Sequence, residues 1–169
     1  MLAPVPADPT RRRKLNALDR AIERVAQTRA GGWYFVNVVT HIDPWILKRS
    51  GGCWSTAPGQ PVLLVTHIGG KSGQRRETAL VYATDGDTIL LIASKAGAPK
   101  NPGWYHNLKA NPECDIIAKG RSGRYRAREL EGAERERAWK IVTDVYRGYD
   151  TYQARTGGRV IPLLALERI

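Results

Sequence analysis

A chain of 169 residues can bury one core but is too short for two ordinary domains, and its 42% hydrophobic and 25% charged residues exclude a disordered or fibrous protein. Lys plus Arg outnumber Asp plus Glu by 27 to 16, a net charge of +11, which calls for an anionic partner such as nucleic acid, a membrane surface or a phosphorylated coenzyme. The two cysteines, Cys53 and Cys114, stand apart without Cys or His neighbours, which excludes a disulfide framework and a zinc knuckle.

Met1 to Pro9 has no apolar run long enough for a signal peptide, and no later run approaches the roughly 18 apolar residues of a membrane span, so a cytoplasmic location is expected. Arg11 to Arg29 sets Leu15, Leu18, Ile22 and Val25 at helical spacing, which predicts an amphipathic helix ended by Gly31-Gly32. Trp33 to Val39 reads as helix or strand. A short helix is expected with Asp43 as its cap and Pro44 as its first residue, stopped by Gly51-Gly52. Beyond the turn-rich Ser55 to Gly59 the pattern changes to β-branched runs: Val62 to Ile68, Glu77 to Thr84, Thr88 to Ala93, Cys114 to Lys119, Tyr125 to Leu130 and Ile161 to Leu166. Asp85-Gly86 marks a two-residue hairpin, and Gly120 to Gly123 a looser turn. Two helices interrupt the strands. One is capped by Asn101-Pro102 and stopped by Asn111-Pro112; the other runs unbroken from Gly132 to Tyr152, with Ala138, Trp139, Val142, Val145, Tyr146 and Tyr149 inward. The expected fold is mainly β (α+β), a small antiparallel barrel with helices packed outside: residues 58–169 form the barrel and 1–57 an N-terminal helical extension.

Several site chemistries drop out. His41, His67 and His106 lack metal-ligand spacing, so no metal is expected, and Ser72 and Ser94 lack a nucleophile elbow. Gly69-Gly70-Lys71-Ser72 imitates the end of a phosphate-binding P-loop, but Val65 occupies the place of its first glycine. What remains is a glycine turn with Lys71, Ser72, Arg75 and Arg76 beside it, suited to a phosphate or simply a solvated hairpin. Downstream, the small-residue loop from Ala93 to Asn101 leads into a helix start, where Trp104 and Tyr105 either wall a flat ring or anchor the core. Arg124, Arg126 and Arg128 alternate on one strand face; that pattern suits nucleic acid, but more ordinarily marks a charged edge strand.

Gly69 to Arg76, the run Ala93-Ser94-Lys95-Ala96-Gly97-Ala98-Pro99-Lys100-Asn101-Pro102-x-Trp104-Tyr105-x-Asn107-Leu108-Lys109-Ala110-Asn111-Pro112, the tyrosine-rich helix end and Arg159-Val160-Ile161-Pro162 together resemble the deazaflavin-dependent nitroreductase family of actinobacteria. The likeness extends from about Pro61 to Glu167. It implies a split β-barrel like that of FMN-binding oxidases and the cofactor F420, an 8-hydroxy-5-deazaflavin with an anionic tail, with FMN as the alternative. By resemblance, Lys71 and Arg76 contact the phosphate end, with Ser72 in the same turn. Ser94, Lys95, Ala96, Gly97 and Ala98 meet the ring edge, Lys95 and Lys100 hold tail groups, and Trp104 and Asn107 complete the pocket. Tyr146, Tyr149 and Tyr152 match tyrosines that line the family's acceptor pocket, although packing against the barrel would explain them equally.

Two positions depart from the family pattern. Gly70 replaces an arginine, whose charge Arg75 is placed to supply, and Val81 replaces a substrate-pocket tyrosine. The implied activity is hydride transfer from reduced F420 to a small electron-poor acceptor: a quinone, an enone or a nitroaromatic compound. The competing readings are a non-catalytic F420 or flavin carrier and a nucleic-acid-binding barrel. Arg11-Arg12-Arg13-Lys14 and the following helix offer a peripheral membrane contact, with packing over the barrel end as the alternative. Oligomeric state is not legible.

Overall fold

A computed structural model describes residues 3–5, 28–34, 38–57 and 59–169. The expected helix from Arg11 and its membrane contact fall outside them, apart from the helix's last residues. In chain order the elements are β1 (Ala3–Pro4), α1 (Arg29–Tyr34), α2 (Thr40–Ser50), β2 (Trp54–Ser55), β3 (Val62–Ile68), β4 (Arg75–Asp85), β5 (Thr88–Ile92), α3 (Gly103–Ala110), β6 (Glu113–Ile117), β7 (Gly123–Glu129), α4 (Gly132–Val145), α5 (Gly148–Arg155) and β8 (Leu163–Arg168). All six expected strands are present, and they close an antiparallel barrel in the order β3-β4-β5-β8-β7-β6, with β6 returning to β3.

The pleat explains which residues go where, because successive side chains face opposite sides of a strand. Leu63 and Val65 of β3 point into the barrel with Tyr82, Ile89, Leu91, Leu164 and Leu166, and Leu108 of α3 joins them. The other face of β3, Val62 and Leu64, is covered by Leu47 of α2 together with Val39 and Ala57, which is why β3 is apolar almost throughout. Outside β5 and β8, a third cluster joins Leu90, Ile92 and Leu163 to Val142 of α4 and to Tyr146, Tyr149 and Tyr152. Full burial of each Leu or Ile contributes roughly 1.5–3 kcal/mol.

Several local expectations are corrected. Gly31-Gly32 lies inside α1 rather than ending a helix, and α1 also takes in Trp33. Asp43 does not cap α2. It sits inside the first turn, fully buried, where its carboxylate accepts hydrogen bonds from Ser55 Oγ, Thr56 N–H and Thr56 Oγ, tying α2 to the strand that follows. Pro102 is the N-cap of α3, and Asn101 serves elsewhere. The helix expected from Gly132 to Tyr152 breaks at Tyr146, whose backbone is extended (φ −145°, ψ 106°), and restarts as α5. The edge-strand reading of β7 also fails, since closure leaves β7 paired on both sides with β6 and β8. Its arginines are neutralised locally: Arg124 and Arg126 share Glu113, and Arg128 binds Glu134 and Glu167.

Candidate functional site

β4 is longer than β5. Their pairing covers only Tyr82–Asp85, whereas β4 pairs with β3 along Arg75–Val81. Tyr82 N–H donates to Pro61 O on the β3 side, so alternation turns the N–H and C=O groups of Ala79 and Val81 the other way. Among the described residues no strand covers that edge. A cavity of about 210 Å³ opens there instead, lined by Thr78, Ala79, Leu80 and Val81 on one side, Ser94, Lys95 and Ala96 at one end, and Tyr146, Tyr149 and Tyr152 opposite. Val39, Thr40, Gln60, Ile92, Pro102, Gly103 and Trp104 complete the wall. It is a mostly apolar slot with a row of backbone donors and acceptors along one side.

The loop at its end is strained. Lys95 (φ 47°), Ala96 (φ 54°) and Gly97 (φ 80°) are consecutive left-handed residues, a conformation that costs each of the two non-glycines about 1 kcal/mol or more. Arg159 holds it. Its guanidinium donates to the carbonyls of Ala93, Ser94 and Ala98 and to Asn101 Oδ1, at 2.6–3.3 Å. The segment bearing Arg159 is in turn fastened to α5, because Gln153 donates to Arg159 O and accepts from Ile161 N–H. Gly97 packs so closely on α5 that a Cβ would lie 2.8 Å from Tyr152 O. Arg159 thus unites the loop and the tyrosine helix.

Tyr146 and Tyr152 hydroxyls are 3.2 Å apart, and the three tyrosine rings meet edge-on or tilted at 5.1–6.2 Å between centroids. They converge because of the helix break, not because of an even helical face. Gly148 allows it, since a Cβ there would overlap the Tyr146 ring. Burial pushes the Tyr149 hydroxyl far above its ordinary pKa and raises Tyr152 as well. The rings pack into the outer cluster and line the cavity, so the two alternatives read from sequence describe the same side chains.

Of the residues singled out in the sequence, Ser94, Lys95, Ala96, Trp104, Tyr146, Tyr149 and Tyr152 line the cavity. Trp104 is also a barrel-core residue. Gly97 and Ala98 shape the loop without lining the slot, and Lys100 is exposed beside it. Asn107 is not in the cavity wall: its Oδ1 accepts from Gly70 N–H at 3.0 Å, anchoring the Gly69–Gln74 turn on α3. Lys71, Ser72, Arg75 and Arg76 are exposed on and beside that turn and do not line the cavity. The Gly70 departure has a steric reason, because a Cβ there would come within 2.9 Å of Ala110 Cβ. The wall formed by Val39, Thr40, Gln60 and Thr78 was not foreseen. Only the excess length of β4 over β5 hinted at its open edge.

Comparison with known proteins identifies the family. The family model for F420H(2)-dependent quinone reductase matches residues 40–168. An F420H(2)-dependent quinone reductase of Mycobacterium tuberculosis is 43% identical over 115 residues, 66% of this chain and 76% of the relative. A solved F420-H2 dependent reductase has a TM-score of 0.56 at 39% identity, covering 63% of this chain and 94% of its own. A structure described as a domain-swapped dimer reaches 0.59 at 40% identity, over 63% and 80% of the two chains. This chain belongs to the F420H(2)-dependent quinone reductase family.

Proposed function

We propose that the chain binds reduced coenzyme F420 with its ring in the cavity and catalyses its oxidation by a quinone. The observation that carries this is the uncovered edge of β4 facing three tyrosines across one apolar slot. The donor set fits the coenzyme. A planar heterocycle with carbonyl and N–H groups along one side matches the backbone row at Ala79 and Val81, and Trp104 supplies an aromatic wall. The anionic tail has partners at the cavity's end and beyond it: among the described residues Lys71, Arg75, Arg76, Lys95 and Lys100 form no ion pair, while the α3 N-terminus at Gly103 has no side-chain cap. Residues 58–169 supply most of this site, and the preceding extension adds Val39 and Thr40 to its wall.

When bound, the coenzyme supplies a hydride, a two-electron reductant that needs no metal. The protein positions the acceptor and excludes water. Tyr146, Tyr149 and Tyr152 orient an acceptor carbonyl rather than act as acids, because Tyr149 and Tyr152 hold their protons more tightly than free tyrosine does. The proton that completes a quinol therefore comes from water at the cavity mouth. Val81 in the slot favours a flat apolar quinone over the nitroaromatic and enone acceptors.

Titration with F420 and with FMN, followed by tryptophan quenching, tests the cofactor. Stopped-flow oxidation of the bound reduced coenzyme by menadione tests turnover: acceleration over the free reaction is expected, and none would mark a carrier. Tyr149→Phe should slow that oxidation several-fold and leave F420 affinity unchanged.

A further inference from the structure

A hydrogen-bond chain runs from the Gly69–Gln74 turn to the cavity wall, and its direction can be read from its first member. Gly70 N–H can only donate, so the Asn107 oxygen faces it and the Asn107 NH2 group faces His67 Nδ1, at 3.4 Å. An NH2 group can only donate in turn, which makes Nδ1 the acceptor and places the imidazole proton on Nε2. That nitrogen lies 3.2 Å from Thr78 Oγ, so Thr78 accepts from His67. The Thr78 hydroxyl proton is left for another acceptor. Thr78 is a cavity residue, one register step from the open edge at Ala79. His67 is well suited to hold this polarity. It is 2% exposed, and burial together with the Arg76 guanidinium lowers its pKa to about 4, so it stays singly protonated at neutral pH.

We propose that Thr78 is a binding residue whose hydroxyl donates a hydrogen bond to a carbonyl oxygen of a ring bound in the cavity, with Asn107 and His67 as the positioning residues that fix its polarity. This rests on the coenzyme and quinone reading above. The carbonyl belongs either to the coenzyme's pyrimidine ring or to the acceptor, and kinetics separate the two.

The test compares Thr78→Val, which keeps the shape and removes the hydroxyl, with Thr78→Ser, which restores it, and with Asn107→Asp. At about pH 8.5 an aspartate at position 107 draws the single imidazole proton to Nδ1, so Nε2 accepts from Thr78 and turns its proton away from the cavity. For Thr78→Val a loss of roughly 3- to 10-fold is expected, the worth of one neutral hydrogen bond, with Thr78→Ser near wild type. If the loss falls on the F420 dissociation constant, the partner is the coenzyme; if it falls on menadione kcat/KM at unchanged F420 affinity, the partner is the acceptor. Measured at high ionic strength, where the added charge no longer repels the coenzyme's anionic tail, Asn107→Asp should show the same loss with Thr78 intact, and the double variant Thr78→Val with Asn107→Asp should add little to either.

Wild-type behaviour of Thr78→Val, or no rescue by serine, would overturn the proposal, as would full additivity in the double variant. Failure of the underlying reading looks different. A wild-type protein that binds FMN and not F420 overturns the cofactor, and the same three variants are then scored on FMN, which carries the same pyrimidine carbonyls. Binding of neither overturns both.

Discussion

At the scale of single residues, the best connected side chain of the site is one that does not line the cavity. Arg159 satisfies three carbonyls and the Asn101 side chain in a loop whose backbone would otherwise relax out of the left-handed region. Arg159→Ala removes all of these hydrogen bonds, leaving Ser94 O only the Gly97 N–H, so a stability loss of about 2–3 kcal/mol is expected in urea unfolding, with F420 affinity down at least 10-fold. Arg159→Lys cannot reproduce the planar fork and should lie between alanine and wild type. The residue stood in a motif noticed in the sequence, but its partners lie about 60 positions away, beyond any local pattern. His67 carries a second prediction. With its folded pKa near 4 and an ordinary value of 6.5, the unfolded chain takes up a proton between those limits that the native state refuses. Stability therefore falls as pH drops from 6.5 towards 4, by roughly 1–3 kcal/mol from this group, and is flat on its account above 6.5. Melting curves of wild type and His67→Gln across that range would check it: the variant should lose this component of the slope.

At the scale of elements, the strands were legible because alternation and turn chemistry are local. Asp85-Gly86 made a hairpin as expected, with Gly86 at φ 61°. The helices were legible in composition but not in continuity. Tyr146 to Tyr152 reads as unbroken helix by spacing, and only Gly148 signals otherwise, because the Tyr146 ring folds over it in a packing that periodicity does not show. Gly148→Ala tests this directly. If the break is there to seat Tyr146, the added methyl must displace that ring from the cavity and from the Tyr152 hydroxyl, so quinone kcat/KM should fall 10-fold or more while circular dichroism shows intact helix and strand. Asp43 teaches the same lesson in reverse. As an aspartate before a proline it looks like a cap, yet the partners that claim its carboxylate are Ser55, on a strand that pairs with Ala3–Pro4, and Thr56 just after it.

For the whole molecule, a net charge of +11 says less than its distribution. The alternating arginines of β7 suggested nucleic acid, but three glutamates on β6, α4 and β8 neutralise them, spending that charge on the outer wall of the barrel. No described helix is long and apolar enough to cross a membrane. Lys71, Arg75, Arg76, Lys95 and Lys100, which form no ion pair among the described residues, lie in or beside the turn after β3 and in the loop after β5, near the two ends of α3. A bound anion should therefore feel them in a salt-dependent way. Lys71→Glu combined with Arg76→Glu should weaken F420 binding at least 10-fold at low salt and flatten its dependence on ionic strength, whereas Arg124→Ala with Arg126→Ala should alter neither. Equal effects from the two pairs would mean that overall charge, rather than the basic turn at the end of α3, attracts the coenzyme. A duplex DNA control should bind none of the three proteins at physiological ionic strength, because the strand face that would carry it already holds its own counter-charges.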